Sequence, residues 1–255
     1  MHLLALTRPV PDSLTECQLT HLERVPIDLG RARAQHEAYE RALASLGCDV
    51  RHVPAAHDAP DSVFIEDTAV VLDEIAIVTR PGAPSRRAET AAVADALAPL
   101  RELATLSEPA TLDGGDVLRL GRTVYVGVGS RTNASAVEQL DGIARRFGYA
   151  VRRVDVAECL HLKSAVTEIA PGLVLLNPEW VDERTFDGHR ALYVDPAEPF
   201  AANVLRIQDT VVCAAAYERT AERLVQAGLT LLEVDVSELA KAEAGVTCCS
   251  LIALV

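Results

Sequence analysis

The sequence predicts an α/β protein that is built from repeated units and folds as one domain. Strand-like apolar runs alternate with amphipathic helical runs along the 255 residues. A short hairpin followed by a helix and a strand recurs about every fifty residues, as in repeat-built folds. The stretch 127–129 lacks the third glycine of a dinucleotide-binding fingerprint, so an open doubly wound sheet is not indicated.

Elements in the first half of the chain follow from apolar periodicity and from turn residues. Strands are predicted where short apolar, often β-branched runs end in polar turns, and helices where apolar residues recur with helical spacing. Gly47 follows the first helix as a C-cap glycine. The predicted strands are 3–7, 50–54, 63–72 and 75–78, and the predicted helices are 28–46 and 87–100.

Three hairpin signals mark the second half of the chain. Each signal is a pair of apolar runs around two turn residues, and the three fall at 116–128, 164–176 and 203–213. Helices are predicted at 133–147 and 217–226, with a strand at 231–234. The chain ends in an apolar strand that we expect to begin at the adjacent cysteines Cys248 and Cys249.

Composition and charge exclude several functional classes. The formal net charge of −13 argues against a nucleic-acid-binding protein, because such proteins carry basic faces that displace counterions from phosphate. No run approaches the roughly 20 apolar residues that cross a bilayer, and no basic leader is present. We therefore expect a cytoplasmic protein with reduced thiols. The six cysteines show no C-x-x-C spacing, which disfavours a structural zinc site.

Two acidic motifs stand at the ends of apolar runs. Glu66 and Asp67 interrupt one run, and the ordinary interpretation is a solvated turn. The alternative is a carboxylate aimed into a cleft to bind a guanidinium, whose planar donors match carboxylate oxygens in pairs. Asp113 and Asp116 flank two glycines, which implies a backbone with positive φ or a close approach to another group. Both motifs are open to either interpretation from the residues alone.

A thiol, an imidazole and a carboxylate could act together if the fold brings them into contact. A nucleophilic thiol needs a lowered pKa or a nearby base, and that base needs an acceptor to orient it. Cys248, His161 and Asp113 can fill these roles, although no chain order is diagnostic. A lone histidine in an apolar alternation is more often structural than catalytic. The loop 79–87 adds three arginines stiffened by two prolines, which could hold a substrate carboxylate.

In combination, these segments resemble the dimethylarginine dimethylaminohydrolases of the guanidine-modifying, or pentein, superfamily. The resemblance extends from about residue 8 to 251, and it rests on five motifs that would each be weak alone. They are 64–67 (FIED), 79–87 (TRPGAPSRR), 112–116 (LDGGD), 160–164 (LHLKS) and 247–250 (TCCS). The resemblance implies a five-bladed α/β propeller of ββαβ units around a central site, with residues 1–255 forming a single catalytic domain.

The same resemblance implies catalytic roles residue by residue. Cys248 matches the nucleophile, His161 the general acid and base, and Asp113 the carboxylate that orients the histidine. Asp67 matches the guanidinium-binding aspartate, with Glu66 beside it as a supporting carboxylate.

Substrate-binding positions are implied in the same way. Arg86 and Arg131 match the pair that holds the substrate α-carboxylate. Asp61 and the backbone near Leu19 and Ala242 match groups around the α-ammonium and the rest of the substrate.

Cys249 is the competing candidate for the nucleophile. In the family the first cysteine takes that role, which favours Cys248. Side chains alternate along a strand, so we expect the two thiols to face opposite sides and Cys249 to pack in the core.

The implied activity is hydrolysis of Nω-methylated L-arginines to L-citrulline and methylamine or dimethylamine through a covalent S-alkylthiouronium. The expected partner is a small-molecule substrate, and no metal or organic cofactor is expected. The protein could also form a homodimer. The sequence does not give the preference between monomethyl and dimethyl substrates.

Two alternatives come from other functions of the same fold. An arginine deiminase is disfavoured because those enzymes tend to have Glu where Asp113 stands, and an Asp soon after the histidine. Agmatine deiminase is disfavoured because Arg86 and Arg131 imply a substrate carboxylate. The second alternative is a catalytically silent propeller that binds methylarginine or a partner protein, and the intact set of Cys248, His161 and Asp113 argues against it.

Overall fold

The computed structural model describes residues 2–255, which form strands and helices from one end to the other. The strands are β1 (Leu3–Thr7), β2 (Cys48–His52), β3 (Ala69–Val71), β4 (Ile75–Val78), β5 (Glu102–Thr105), β6 (Val117–Leu120), β7 (Thr123–Val128), β8 (Ala150–Asp155), β9 (Val166–Ala170), β10 (Leu173–Leu176), β11 (Arg190–Tyr193), β12 (Leu205–Ile207), β13 (Thr210–Ala214), β14 (Thr230–Val234) and β15 (Leu251–Leu254). The α-helices are α1 (Leu29–Ser45), α2 (Thr90–Leu97), α3 (Ala134–Ala144), α4 (Leu162–Ala165), α5 (Glu218–Gln226) and α6 (Ser237–Ala240). Short 3-10 helices lie at Leu14–Glu16, Ile65–Thr68, Pro84–Glu89, Gly114–Asp116, Arg145–Phe147 and Glu183–Phe186. No helix in the described part of the chain is long and apolar enough to cross a membrane.

The strands pair into five three-stranded sheets with one shared pattern. In each sheet the middle strand is antiparallel to one neighbour and parallel to the other, as in the orders β3-β4-β5 and β6-β7-β8. A parallel neighbour requires a crossover connection, which is a helix in four of the units and the 3-10 turn Glu183–Phe186 in the unit containing β10. This ββαβ repeat confirms the predicted five-bladed α/β propeller. That residues 1–255 act as a single catalytic domain stays a prediction.

The first sheet joins the two ends of the chain. β1 pairs antiparallel with β15, from Leu3 opposite Leu254 to Leu6 opposite Leu251, and parallel with β2 on its other side. The connecting helix α1 begins where the Asp28 side chain accepts a hydrogen bond from the Arg31 N–H, and it ends before Gly47, whose φ of +88° suits glycine. The last strand is therefore held in place by the first.

Sequence periodicity located the hairpins and the long helices correctly, but it misassigned three segments near the centre. Predicted strand residues 63–68 include the 3-10 helix Ile65–Thr68, and the predicted strand start at Ser164 lies in α4. Cys248 and Cys249 lie in a turn before β15, so the prediction that the last strand begins at these cysteines was wrong. Side chains of two of these segments bond to distant parts of the chain, since Asp67 accepts a hydrogen bond from the Gly115 N–H and the Thr247 hydroxyl donates to Glu66.

Three of the five outer strands were missed by the sequence analysis, whereas β2 and β14 were predicted as 50–54 and 231–234. β5, β8 and β11 are rich in exposed or half-buried positions and lack a continuous apolar face. Apolar side chains instead fill the spaces between neighbouring sheets and their helices. The centre of the ring is different, because ionisable side chains are buried there, including Asp67, Asp113 and His161.

Candidate active site

Segments from several blades converge on one small cavity at the centre of the ring. The 3-10 helix Ile65–Thr68, the start of α4 and the turn before β15 each contribute side chains. Seven of the residues predicted for the site line this cavity: Asp61, Asp67, Arg86, Arg131, His161, Ala242 and Cys248. The other lining residues, which sequence reasoning missed, are Gln18, Phe64, Leu160, Glu243 and Ala244.

Three predicted site residues do not line the cavity. Asp113 lies behind His161 and is fully buried. Glu66 points away from the cavity and pairs with Lys163. Leu19 packs against a neighbouring apolar cluster, and the adjacent Gln18 lines the cavity instead.

His161 and Asp113 form a buried pair. The His161 Nε2 atom lies 3.1 Å from Asp113 Oδ2, and Asp113 Oδ1 accepts a hydrogen bond from the Gly82 N–H at 2.9 Å. Burial alone would lower the pKa of His161, but the negative charges of Asp67, Asp116 and Asp113 outweigh it and raise that pKa to about 9. His161 is therefore an imidazolium at neutral pH in the free protein.

Asp116 holds the backbone next to His161. Its carboxylate accepts hydrogen bonds from the Thr132 hydroxyl at 2.6 Å and from the Leu162 N–H at 3.0 Å, so it fixes the first turn of α4. Burial raises the pKa of Asp116 to about 6, against the opposing effect of His161. The second aspartate of the motif thus supports the histidine segment, a role the sequence analysis did not assign.

Gly115 lets two functional groups approach its backbone closely. Its N–H donates to Asp67 Oδ1 at 2.9 Å, and a Cβ at this position would lie 2.7 Å from His161 Nδ1. Any larger residue would push the imidazole out of place. The glycine is required by close approach, one of the two explanations that the sequence allowed.

Asp67 is a buried carboxylate that stays ionised. Its burial favours the neutral form, but His161, Arg86 and the Gly115 N–H favour the anion and lower its pKa to about 2. Its Oδ2 atom accepts a hydrogen bond from Arg86 Nη1 at 2.5 Å. Asp67 can therefore present a full negative charge to a cation in the cavity.

Arg86 is almost fully engaged by the protein. Nε and Nη2 donate to Glu89, and Nη2 also donates to the carbonyl groups of Asp61 and Phe64. Nη1 has Asp67 as its acceptor, which leaves one of its two N–H groups for a ligand. Arg131 lies on the same cavity, with Nη1 at 3.5 Å from Asp113 Oδ2 and Nη2 donating to the Thr20 hydroxyl at 3.3 Å.

The two adjacent cysteines lie in different surroundings. Cys248 lines the cavity, and its Sγ atom accepts a hydrogen bond from the Gly245 N–H at 3.4 Å. Burial, together with the charges of Glu66 and Asp67, raises the pKa of the Cys248 thiol to about 12. Cys249 is fully buried and packs in the apolar cluster beneath β1 and α1. Only Cys248 faces the cavity, although the pair does not lie on a strand.

Residues 18–22, here called the covering segment, begin at Gln18, which lines the cavity, and are bonded to two other lining residues, Asp61 and Glu243. Gln18 N–H donates to Asp61, and its side chain donates to Ser85. One oxygen of Glu243 accepts hydrogen bonds from three consecutive N–H groups, those of residues 20, 21 and 22, at 2.9, 2.5 and 2.6 Å. The space in the cavity, about 20 Å³, suits a water molecule rather than an amino acid. A larger ligand requires some of the lining residues to move.

Asp67, Asp113 and His161 also form the one group in the described residues whose ligand atoms lie close enough to hold a metal ion, within 4.8 Å of one another. In the protein each of these side chains already has a hydrogen-bond partner: Asp67 bonds to Arg86 and the Gly115 N–H, and His161 bonds to Asp113.

A polar network behind the cavity was missed by the sequence analysis. Glu66 accepts hydrogen bonds from Lys163 and from the Thr247 hydroxyl, and Thr247 in turn contacts Asn203. Lys163 and Thr247 stand inside two of the motifs, which was a usable signal. Asn203 stands in no motif, and nothing local in the sequence marks it.

Comparisons with known proteins point to one family. A family model described as N,N dimethylarginine dimethylhydrolase, eukaryotic, matches residues 20–255. The chain is 44% identical to the N(G),N(G)-dimethylarginine dimethylaminohydrolase of Streptomyces coelicolor, over 96% of this chain and 95% of that protein. It is 33% identical to the enzyme of the same name from Pseudomonas aeruginosa, over 98% of both chains. The solved structure of the Pseudomonas aeruginosa protein, a cysteine-to-serine mutant complexed with citrulline, superposes with a TM-score of 0.94 at 31% identity over 99% of both chains.

Proposed function

The chain belongs to the dimethylarginine dimethylaminohydrolase family, and from this premise we propose that it hydrolyses Nω-methylated L-arginines to L-citrulline. The other product is dimethylamine or methylamine, according to the substrate. The observation that carries the proposal is the convergence of Cys248, His161 and Asp67 on one cavity. A cytoplasmic location, expected from the sequence, belongs to the same proposal.

Substrate recognition in this proposal follows the charges of the cavity. Asp67, ionised and buried, pairs with the guanidinium, because a buried carboxylate attracts a cation strongly in a medium of low dielectric constant. Arg131 and the remaining N–H of Arg86 bind the α-carboxylate at the other end of the substrate. Asp61 and the backbone at Ala242 receive the α-ammonium.

The first chemical step forms a bond between Cys248 Sγ and the guanidinium carbon. The neutral thiol must first release its proton to solvent, because its pKa of about 12 in the free protein leaves almost no thiolate at neutral pH and His161 is already protonated. Binding of the substrate cation beside the sulfur favours the thiolate by direct attraction. The substrate thus helps to ionise its own nucleophile.

His161 supplies the proton for the leaving group. With a pKa of about 9 it is protonated at neutral pH, and Asp113 orients it through the 3.1 Å contact. As the C–N bond breaks, the imidazolium donates its proton to the departing amine, and an S-alkylthiouronium remains on Cys248. Neutral His161 then removes a proton from water, and the hydroxide attacks the same carbon. The C–S bond breaks as the proton of the new hydroxyl group is released, which leaves citrulline and the Cys248 thiolate.

Product analysis on a panel of guanidino compounds tests the proposal. Nω,Nω-dimethyl-L-arginine and Nω-methyl-L-arginine should yield citrulline and the methylated amine, whereas L-arginine and agmatine should react much more slowly. Comparable rates with arginine would contradict the proposal and favour a deiminase. Failure of a haloacetamidine to label Cys248, seen by mass spectrometry, would favour a silent binding protein.

A further inference from the structure

We propose that Asn203 is a positioning residue that sets the Cys248 segment relative to the His161 segment, an inference that rests on the proposed function. Asn203 precedes β12 in the fifth blade and is 7% exposed. It does not line the cavity that contains the two reactive side chains. Its effect on the reaction must therefore pass through the backbone that carries them.

One amide side chain bonds to both segments at once. The Asn203 Nδ2 atom donates to the carbonyl of Lys163 at 3.2 Å and to the Thr247 hydroxyl at 3.1 Å, while Oδ1 accepts from the Thr247 N–H at 3.0 Å. Lys163 stands two residues after His161, and Thr247 directly precedes Cys248. Because an amide has two donor hydrogens and an acceptor oxygen, all three contacts are satisfied together.

These contacts belong to a closed ring of hydrogen bonds. Asn203 bonds to Thr247, the Thr247 hydroxyl donates to Glu66 Oε2 at 2.7 Å, Glu66 Oε1 pairs with Lys163 Nζ, and the Lys163 carbonyl returns to Asn203. The Glu66 N–H also donates to the Cys248 carbonyl at 3.1 Å. Satisfied buried networks of this kind define one local geometry, because any displaced member leaves a polar group unpaired.

The packing around Asn203 leaves little freedom. A Cβ at Gly245 would lie 2.3 Å from Asn203 Cγ and Oδ1, so the chain before Cys248 passes against the amide without a side chain. Asn203 also lines a neighbouring cavity of about 260 Å³, to whose lining Gly245 contributes as well. Removal of the amide would let water enter from that cavity and hydrate the freed groups, so the protein should fold while the two segments move more freely.

The test compares Asn203→Ala with a matched control, Asn177→Ala. Asn177 is also a buried asparagine, but its side chain bonds only to backbone groups outside the two segments, donating to the Pro199 carbonyl and accepting from the Glu179 N–H. Its backbone N–H donates to the Ala165 carbonyl in α4, a contact that the substitution keeps. We expect kcat for Nω-methyl-L-arginine to fall about 100-fold in Asn203→Ala with KM nearly unchanged, since a displacement of about 1 Å costs this much. Asn177→Ala should keep the wild-type kcat.

Variants of Thr247 provide a second measurement in the same ring. Thr247→Ser keeps the hydroxyl and should keep most of kcat, whereas Thr247→Val removes it at nearly equal volume and should lose as much as Asn203→Ala. Wild-type kcat in a folded Asn203→Ala protein would overturn the inference, as would an equal loss of kcat in Asn177→Ala.

A readout that does not depend on the substrate separates the two proposals. The rate at which a haloacetamidine labels Cys248 should fall in Asn203→Ala and stay unchanged in Asn177→Ala. If the wild-type protein labels normally but turns over no methylarginine, the proposed function fails while the positioning role is still measured by labelling. Equal labelling rates in wild type and Asn203→Ala would refute the positioning role.

Discussion

The proton on His161 gives the sharpest physical prediction for this site. Its pKa lies at about 9 rather than 6.5, because the carboxylates of Asp67, Asp116 and Asp113 outweigh the effect of burial. That difference corresponds to about 3 kcal/mol in favour of the protonated form in the folded protein, at 1.36 kcal/mol for each pKa unit. The test varies the pH and compares the stability of the wild type with that of His161→Gln.

The sign of the stability change follows from linkage. The pKa of His161 is raised on folding, so its stabilising contribution is fully present below pH 6.5 and is lost as pH rises towards 9. Between these values the free energy of unfolding of the wild type should fall by about 3 kcal/mol more than that of His161→Gln. In the wild type, Asp67 and Asp116 titrate below this window, at about 2 and about 6.

Two assays measure the effect. Urea unfolding at a series of pH values gives the free energy of unfolding of both proteins, and NMR of labelled histidine gives the pKa of His161 directly. We expect Asp113→Asn to lower this pKa, since it removes one of the three negative charges. A wild-type His161 that titrates at or below 6.5, or parallel pH dependences for wild type and His161→Gln, would refute the reasoning.

Three further substitutions test other parts of the site. Cys248→Ser should reduce citrulline formation by about 10⁴-fold or more, whereas Cys249→Ser should keep most of it; wild-type turnover in the first variant would exclude Cys248 as the nucleophile. Gly115→Ala should lower kcat about 100-fold, because its Cβ would fall 2.7 Å from His161 Nδ1, and normal steady-state kinetics would show that the imidazole can move away without cost. Glu243→Ala should speed protease cleavage within the covering segment, because three N–H groups lose their acceptor. The matched control is Glu198→Ala, which removes an acceptor of two N–H groups elsewhere in the protein. Equal cleavage of the segment in both variants would contradict a specific role for Glu243.

The sequence predicted the blades better than the centre of the ring. Hairpins such as β6 with β7 follow from apolar alternation around two turn residues, which are local properties of the chain. The turn at Ile65–Thr68 follows from non-local bonds, such as the one from Gly115 N–H to Asp67, that a single stretch of sequence does not reveal. The outer strands β5, β8 and β11 were missed because their side chains are largely exposed or half-buried, so their sequences carry no clear apolar alternation.

The residues of the candidate site divide in the same way. His161, Asp113, Asp67 and Cys248 were found because they stand in motifs, and the structure brings them together. Asn203 was missed because its contacts reach 40 and 44 positions along the chain, so only the folded protein reveals them. The ion pair between Arg86 and Glu89 was also missed, because the spacing of the two residues does not show that both are buried.

The pairing of β1 with β15 has a consequence for when the protein first becomes active. Cys248 lies just before β15, and β15 is held only after it has found β1 at the opposite end of the chain. Contacts between residues so far apart in sequence form late, because a long loop must close before they are gained. A ribosome-bound chain can complete the inner blades and still lack a placed thiol. Under the proposed mechanism, the appearance of activity during refolding should therefore report closure of the whole ring rather than the folding of any one blade.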